Sequence, residues 1–492
     1  VRQSGLVPLS NTSGLRAAFD ALADAVAALR FDLASPSRAD DRELRDRVTQ
    51  IIRRHLRPRF LSPEAPVAVA VAGPTGSGKS TIVNSLAGRV VSPAGVLRPT
   101  TGRPVVWRHH HSLGPPDLDD LEIDVQLDDH PLLRGVTIVD TPDLDSQVRS
   151  HRRIAEAVLD RVDLVVFVTT PHRYADAESW SVLDALGGRG TPIVVVLNRA
   201  TRRTQGARID LARLLDRAGI VPLGGVVEIQ EHRGGGGDGL LARGFVRRLV
   251  SVLEEVAVAR GEFVERGIEA ASSQVFSGTR RLLTALERQR AAVEELVSIA
   301  AKVHDSHLEE LATSLEHGEL LRSDVVERWL RSRGGGPLPG PGFRARVGQP
   351  RVPEELRDEL AREVTARLDA ARRATEAAWA LHPSGSGLAP LARTTLDEVR
   401  RTLADRDVRS VGRGRGHRSP RRPAADVLVG DPERTTPDGE RARLLETIAE
   451  LFDRQRDAAA AVVLARRDPV QRIVELQHAI SAVEARLDDD SR

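Results

Sequence analysis

The chain has 492 residues, 40% apolar and 29% charged but only 3% aromatic, with a formal net charge of +2. That length calls for two or three domains, and the near-neutral balance gives no global basic footprint for nucleic acid. With no cysteine there is no disulfide framework, thiol nucleophile or thiolate metal site, and no apolar run approaches the ~18–20 residues of a transmembrane helix.

The N-terminal stretch VRQSGLVPLSNTSG lacks the apolar segment of a secretory signal, and Val1 reads as a GTG start codon. A cytoplasmic protein is expected, peripheral at most to the inner face of the cell membrane. Residues 14–56 read as two helices, one carrying Leu15, Phe19, Leu22, Val26 and Leu29, the other Leu44, Val48 and Ile51–Ile52. Short apolar runs then follow at Val67–Ala72, Val105–Trp107, Val136–Val139, Leu164–Thr169, Ile193–Leu197 and Val226–Ile229. Helical stretches separate most of them: Thr81–Leu86, Arg152–Val162, Glu178–Leu186, Arg208–Ala218 and Leu240–Val258. Such alternation predicts an α/β domain with a mostly parallel sheet covered on both faces. Leu121, Ile123, Val125 and Leu127 alternate strictly, which suits an added edge strand.

From about Gly261 only helical spacing remains, which predicts a mainly α-helical bundle or stalk region. The expected division is N-terminal helices at 1–62 packing with the C-terminal bundle, the α/β domain at 63–260, and a helical domain at 261–407 interrupted by a Gly/Pro loop at 331–342. An Arg/Gly/Pro-rich linker at 408–440 and C-terminal helices at 441–492 complete it. Helices are expected at 354–380, 388–407 and 441–488. In the last, Ile473, Leu476, Ile480, Val483 and Leu487 form two heptads, too few to separate bundle packing from a dimer seam.

The segment GPTGSGKST, residues 73–81, follows the first apolar run and fits the G-x-x-x-x-G-K-[ST] phosphate-binding loop. Gly73, Gly76 and Gly78 let the backbone wrap so that its N–H groups, including those near Ser77 and Thr81, turn toward phosphate oxygens. Lys79 supplies a compact charge to the β- and γ-phosphates, and Ser80 a hydroxyl to Mg²⁺ at a helix N-terminus. Lysine occupies just two of the 72 basic positions, Lys79 and Lys302. A chain so committed to arginine writes lysine where a planar guanidinium would not fit inside a closed ring of backbone.

The second phosphate motif should be an acidic residue ending an apolar strand. Asp140, opening Asp140-Thr141-Pro142-Asp143, fills that role toward Mg²⁺. No glutamate follows it, as it would in many P-loop ATPases, and D-T-P is similar to the switch II entry of translation-factor-like GTPases. Arg98-Pro99-Thr100-Thr101-Gly102 resembles a switch I segment, with Thr101, or failing it Thr100, closing on the γ-phosphate and metal. Asn198-Arg199-Ala200-Thr201 stands in the place of a guanine motif. Asn198 would tie the strand end to the P-loop and approach the base, and Arg199 would stack on its plane. Thr201 stands where the guanine-reading aspartate belongs, so base chemistry alone does not choose GTP over ATP. Glu228 to Glu231 could form the last base loop.

Taken in order, GPTGSGKST, RPTT, DTPD and VVVLNRA, followed by a long helical region with ELLRSDVVERW at 319–329, resemble the dynamin-like GTPases of actinobacteria. The resemblance implies GTP and Mg²⁺ as ligands, Lys79, Thr101 and Asp140 as the groups acting on the reacting phosphate, and Ser80, Thr101 and Asp140 as metal ligands. It also implies self-association through the GTPase domain and action at a membrane surface or on a membrane protein, with nucleic acid an unexpected partner. Three departures stand out. Gly76 replaces the Asn of potassium-dependent GTPases, Asp143 the usual γ-phosphate-sensing Gly, and Leu144 the water-positioning Gln of Ras-like proteins. Slow intrinsic hydrolysis, raised by dimerisation or a partner, is the expectation. The rival readings are a nucleotide-gated scaffold with little hydrolysis and an ATP-using P-loop enzyme.

Three weaker features carry bland readings. His109, His110 and His111 point to alternating faces if they lie on a strand, so they do not converge on one metal ion. Arg413–Arg422 reads as a solvated linker rather than a lipid or RNA contact. The Gly334–Gly342 loop offers only Leu338 and, just beyond, Phe343 as apolar contacts.

Overall fold

The computed structural model describes residues 12–93, 102–112, 116–145, 148–231, 240–317, 320, 354–409, 438–465 and 469–490. The candidate switch I threonines Thr100 and Thr101, most of 319–329, and the stretches at 331–342 and 412–423 lie outside the described residues.

Seven strands form one sheet: β1 Val67–Ala72, β2 Val105–His109, β3 Asp124–Asp128, β4 Val136–Asp140, β5 Leu164–Thr169, β6 Ile193–Ala200 and β7 Val226–Gln230. Their order is β3-β2-β4-β1-β5-β6-β7. All neighbours run parallel except β2 against β4. The fold is thus the predicted α/β architecture with a mostly parallel sheet. β1, β4 and β5 are buried along their full length, which is why they read as unbroken apolar runs rather than alternating ones. β3 is the exception, with Val125 and Leu127 41% and 45% exposed because an edge strand has one neighbour. Of the alternating run proposed for it, Leu121 and Ile123 precede the strand and pack on the core.

Helices over the described residues are α1 Thr12–Ala27, α2 Arg38–Ile51, α3 Arg57–Leu61, α4 Lys79–Ala87, α5 Arg149–Leu159, α6 Ala177–Arg189, α7 Gln205–Arg217, α8 Arg243–Val258 and α9 Arg260–Glu316. They continue with α10 Glu354–Leu381, α11 Leu396–Arg409, α12 Asp438–Leu464 and α13 Pro469–Asp490. The expected helix over 388–407 begins only at Leu396. Pro390 disfavours helix before it, and Thr395 then caps α11 by accepting the Glu398 N–H on its hydroxyl. The segment 441–488 divides into α12 and α13, with Pro469 at the first position of the second.

The chain forms two compact units. The first holds the described residues up to Leu29, Asp40–Ala285 and those from Gln471 onward. Its sheet core joins Ala68, Ala70, Val139, Val165 and Phe167 to Ala155, Leu183 and Leu211 from α5, α6 and α7. The N-terminal helices belong to this unit. Phe19 of α1 stacks on Phe60 of α3 at 5.7 Å, and a π-helical turn, Ile52–Leu56, carries α2 into α3. Arg59 of α3 and Asp163 before β5 form a fully buried ion pair. Ile473, Leu476, Ile480 and Val483 of α13 are buried, so the short heptad run is spent inside the unit.

The second unit spans Arg30–Ala39 and Leu286–Val470. Among its described residues it is helical. Leu311, Leu315, Leu360, Val364, Leu368, Val399, Ile448 and Phe452 make one core. Leu33, Val293, Leu296, Trp379 and Val463 make another, where the Trp379 indole donates to the Leu296 carbonyl at 2.9 Å. Among the described residues no helix is long and apolar enough to cross a membrane.

Candidate functional site

At the carboxyl end of β1 the chain turns through residues 73–78 into α4, so the positive end of a buried helix faces the loop. Gly73, Gly76 and Gly78 all have positive φ, at 151°, 72° and 96°. At two of them the surroundings also demand glycine. A Cβ on Gly73 would collide with the Val168 carbonyl, and one on Gly78 with the Asn198 amide. The loop is therefore built against the ends of β5 and β6, not merely permitted by its own sequence.

Lys79, 5% exposed, opens α4 and folds back over the loop. Its ammonium donates to the carbonyls of Gly73 at 3.0 Å and Pro74 at 3.3 Å, and to the Asp143 carboxylate at 2.5 Å. Ser77 is fully buried with its hydroxyl unpartnered, while its carbonyl accepts from Asn198 Nδ2 at 2.7 Å. Thr81 lies in the first turn of α4, where its carbonyl accepts the Ser85 hydroxyl.

Asp140 ends β4 and is 0% exposed. Burial raises its pKa, against the Ser80 and Ser92 hydroxyls and the Lys79 charge, which favour the ionised form. Ser92 donates to Oδ2 at 2.6 Å, and Oδ1 is buried without a hydrogen-bond partner. A desolvated carboxylate with one orphaned oxygen beside the Ser80 hydroxyl is the donor set a hard cation takes. The residues present therefore fit Mg²⁺, with Ser80 and Asp140 to hold it and Thr101 outside the described residues. When bound, such an ion neutralises phosphate charge.

One prediction follows from that orphaned oxygen. Asp140→Asn keeps an acceptor for Ser92 and removes a desolvated charge. The ligand-free protein should gain about 1–2 kcal/mol, read as a higher melting temperature, while Mg²⁺-supported nucleotide affinity falls at least about tenfold. A destabilised variant would show instead that the carboxylate is held as a structural acceptor.

On the base side, β6 runs on to Ala200 with an irregular register against β7 after Leu197. The irregularity coincides with Arg199, the one described non-glycine residue with positive φ, at 59°. Arg199 is exposed, whereas Asn198 is buried and accepts the Arg199 N–H on Oδ1 at 2.9 Å. Thr201 is engaged with Thr204, whose hydroxyl accepts its N–H at 2.9 Å. The Glu231 N–H donates to the Ala200 carbonyl at 2.7 Å, which brings the start of the proposed last base loop beside the motif. Glu228 lies within β7 rather than in a loop.

Four participants were not identified from sequence. Asn84 of α4 clamps the Val91–Ser92 backbone through three hydrogen bonds of 2.8 Å, and so delivers Ser92 to Asp140. Asp145 accepts the N–H and hydroxyl of Thr75, both at 2.6 Å. Arg173, after β5, pairs with Asp145 and Asp176 at 2.7 Å each and donates to the Thr75 carbonyl at 3.2 Å. Burial raises the Asp145 pKa, but the Thr75 and Arg173 hydrogen bonds outweigh it and leave the net shift downward. The histidine run stands apart from this site: His109 ends β2, His110 meets Asp129 at 3.1 Å, and His111 lies in the following turn. Among the described residues no group of three or more His, Cys, Asp or Glu side chains is placed to hold a metal ion.

Residues 68–199 match the family model of the 50S ribosome-binding GTPases. The sheet domain is thus of P-loop GTPase type. No curated protein matches the chain. Among solved structures it is similar to a member of an oligomerised bacterial dynamin pair described as sensing and tethering membranes over long range. That likeness has 10% identity over 98% of this chain and 94% of that one, with a TM-score of 0.41. It is similar also to the bacterial dynamin LeoA from ETEC, at 14% identity over 98% and 94% with a TM-score of 0.26. Era from Aquifex aeolicus bound to GDP and AlF4⁻ matches at 18% identity over 38% and 56%, with a TM-score of 0.26. At such scores these likenesses add no weight to a functional reading, which rests on the loop geometry and the family match.

Proposed function

We propose that the chain is a Mg²⁺-dependent GTP-binding protein and slow GTP hydrolase of dynamin-like type, whose helical unit couples nucleotide state to self-association. The observation that carries the nucleotide part is the closed P-loop around Lys79, with the half-satisfied Asp140 carboxylate beside Ser80. Ser80 and Asp140 hold the metal in this reading, Thr101 closes on the γ-phosphate, and Asn198 and Arg199 face the base. GTP is preferred over ATP because residues 68–199 match a GTPase family, not because of a base-reading acid, since Thr201 takes that place.

Slow hydrolysis follows from the segment after Asp140. Leu144 is 7% exposed and packed in the sheet core, so it offers nothing to orient an attacking water. A group supplied in trans by a second copy or a partner then raises the rate. The dynamin-like part rests on the order of the motifs and on the large helical unit that follows the GTPase domain. Action at the inner membrane face, through peripheral contact or a membrane-protein partner, belongs to the same reading.

The test is one titration and one rate. Labelled GTP and ATP are titrated against the full chain with Mg²⁺, and phosphate release is followed as protein concentration rises. Tighter binding of GTP and turnover per molecule that climbs with concentration are expected. An ATP preference would remove the GTPase reading. GTP binding with flat, negligible release would leave a nucleotide-gated scaffold.

A further inference from the structure

The Lys79 ammonium has three N–H donors and three acceptors in the structure. Two are carbonyls of its own loop, Gly73 and Pro74, fixed by the turn itself. The third is the Asp143 carboxylate, at 2.5 Å. Lysine in such a loop reaches the β- and γ-phosphates. A terminal phosphate therefore claims Lys79 by displacing an acceptor, and Asp143 is the one not built into the loop.

Asp143 is nonetheless firmly delivered. Leu144, next in the chain, is buried in the core, and its N–H points to the Gly73 carbonyl at 3.4 Å. Asp145 grips Thr75 by both N–H and hydroxyl and is itself held by Arg173. The three residues 143–145 are thus tied to the P-loop along its length. The Asp143 side chain keeps 23% of its exposure, enough to swing toward water once displaced.

We infer that Asp143 sets the choice between nucleoside diphosphate and triphosphate, its carboxylate holding on Lys79 the position a γ-phosphate would take. The inference rests on the nucleotide-binding reading above. A diphosphate brings only its β-phosphate to the ammonium and leaves the γ position to the Asp143 carboxylate. A triphosphate brings a second anion to the same ammonium, in a partly buried setting where like charges repel strongly, and so must expel the aspartate.

Binding of GDP and of a non-hydrolysable GTP analogue, each with Mg²⁺, is measured by calorimetry on the full chain and on Asp143→Asn and Asp143→Gly. The native chain should favour the diphosphate. Both variants should shift the ratio toward the triphosphate by about tenfold or more, close to the 1.4 kcal/mol that a factor of ten represents, with diphosphate affinity changing less than about threefold. An unchanged ratio in a variant whose thermal transition is intact would overturn the inference, as would a native chain that prefers the triphosphate. Failure of the native chain to bind either nucleotide would instead overturn the nucleotide reading, and this inference with it.

Discussion

Lys79→Ala should lower GTP affinity by about 30- to 4,000-fold, the range given by losing one buried, hydrogen-bonded charge at about 2–5 kcal/mol. Folding should be little affected. The Gly73 and Pro74 carbonyls lose only an ammonium donor, and Asp143, at 23% side-chain exposure, can take water instead. The more discriminating variant is Lys79→Arg. It keeps the charge but asks a planar guanidinium to lie where three acceptors crowd one nitrogen within 3.3 Å. Affinity should fall nearly as far as with alanine. Binding curves for the three proteins, each with a thermal melt, check this. An arginine variant that binds as well as the native chain would mean that charge alone suffices and the ring geometry is incidental. Retained affinity in Lys79→Ala would overturn the site assignment itself.

The sheet could be read from sequence because its central strands lie between two covered faces. Burial on both sides writes Val67–Ala72 and Leu164–Thr169 as unbroken apolar runs, and those bounds reappear unchanged in the structure. The loop was readable for a different reason: its glycines are demanded by backbone geometry, so residue type and spacing carry the information locally. Asn84, Ser92, Asp145 and Arg173 carry no such mark. Ser92, Asp145 and Arg173 act through partners distant in sequence, Ser92 on Asp140 and the other two on Thr75. Asn84 acts on a loop seven and eight residues on, and in a chain with 72 basic residues one further arginine is silent. The Asp143–Lys79 pair lies between these cases. The aspartate stands out in the motif, but only the fold shows that its carboxylate ends on the lysine. The same limit applied to the helices. Apolar spacing gave their existence, while Pro390 and Pro469 moved their bounds through local backbone effects that periodicity does not report.

The buried pair beneath the sheet supports the largest stability prediction. Asp163 accepts from Arg59 through both oxygens and from the Ala68 N–H at 2.7 Å, and a Cβ on Gly267 of α9 would collide with it. Asp163→Ala would leave the fully buried Arg59 with only the Ala65 and Pro66 carbonyls as acceptors, at 3.4 and 3.1 Å. Breaking such a pair from one side costs about 3–5 kcal/mol, a large share of the ~5–15 kcal/mol that holds a domain together. Urea unfolding followed by fluorescence should show it as a lower midpoint, and a change under about 1 kcal/mol would mean that water reaches the site. His55 adds a pH signature. It is 1% exposed, 3.8 Å from Asp163, and its pKa is lowered, first by burial and further by Arg59, against the pull of Asp163. Because its folded pKa lies below its unfolded one, the unfolded chain takes up the extra proton. Stability is therefore full above the ordinary histidine value of about 6.5 and falls as pH drops below it. Arg59→Met removes the neighbouring cation and leaves the Asp163 charge to be met by His55. Its loss of stability as pH drops below about 6.5 should then be shallower than that of the native chain, because burial still lowers the His55 pKa while the Arg59 contribution is gone. Parallel slopes for the two proteins would show that His55 does not sense the pair.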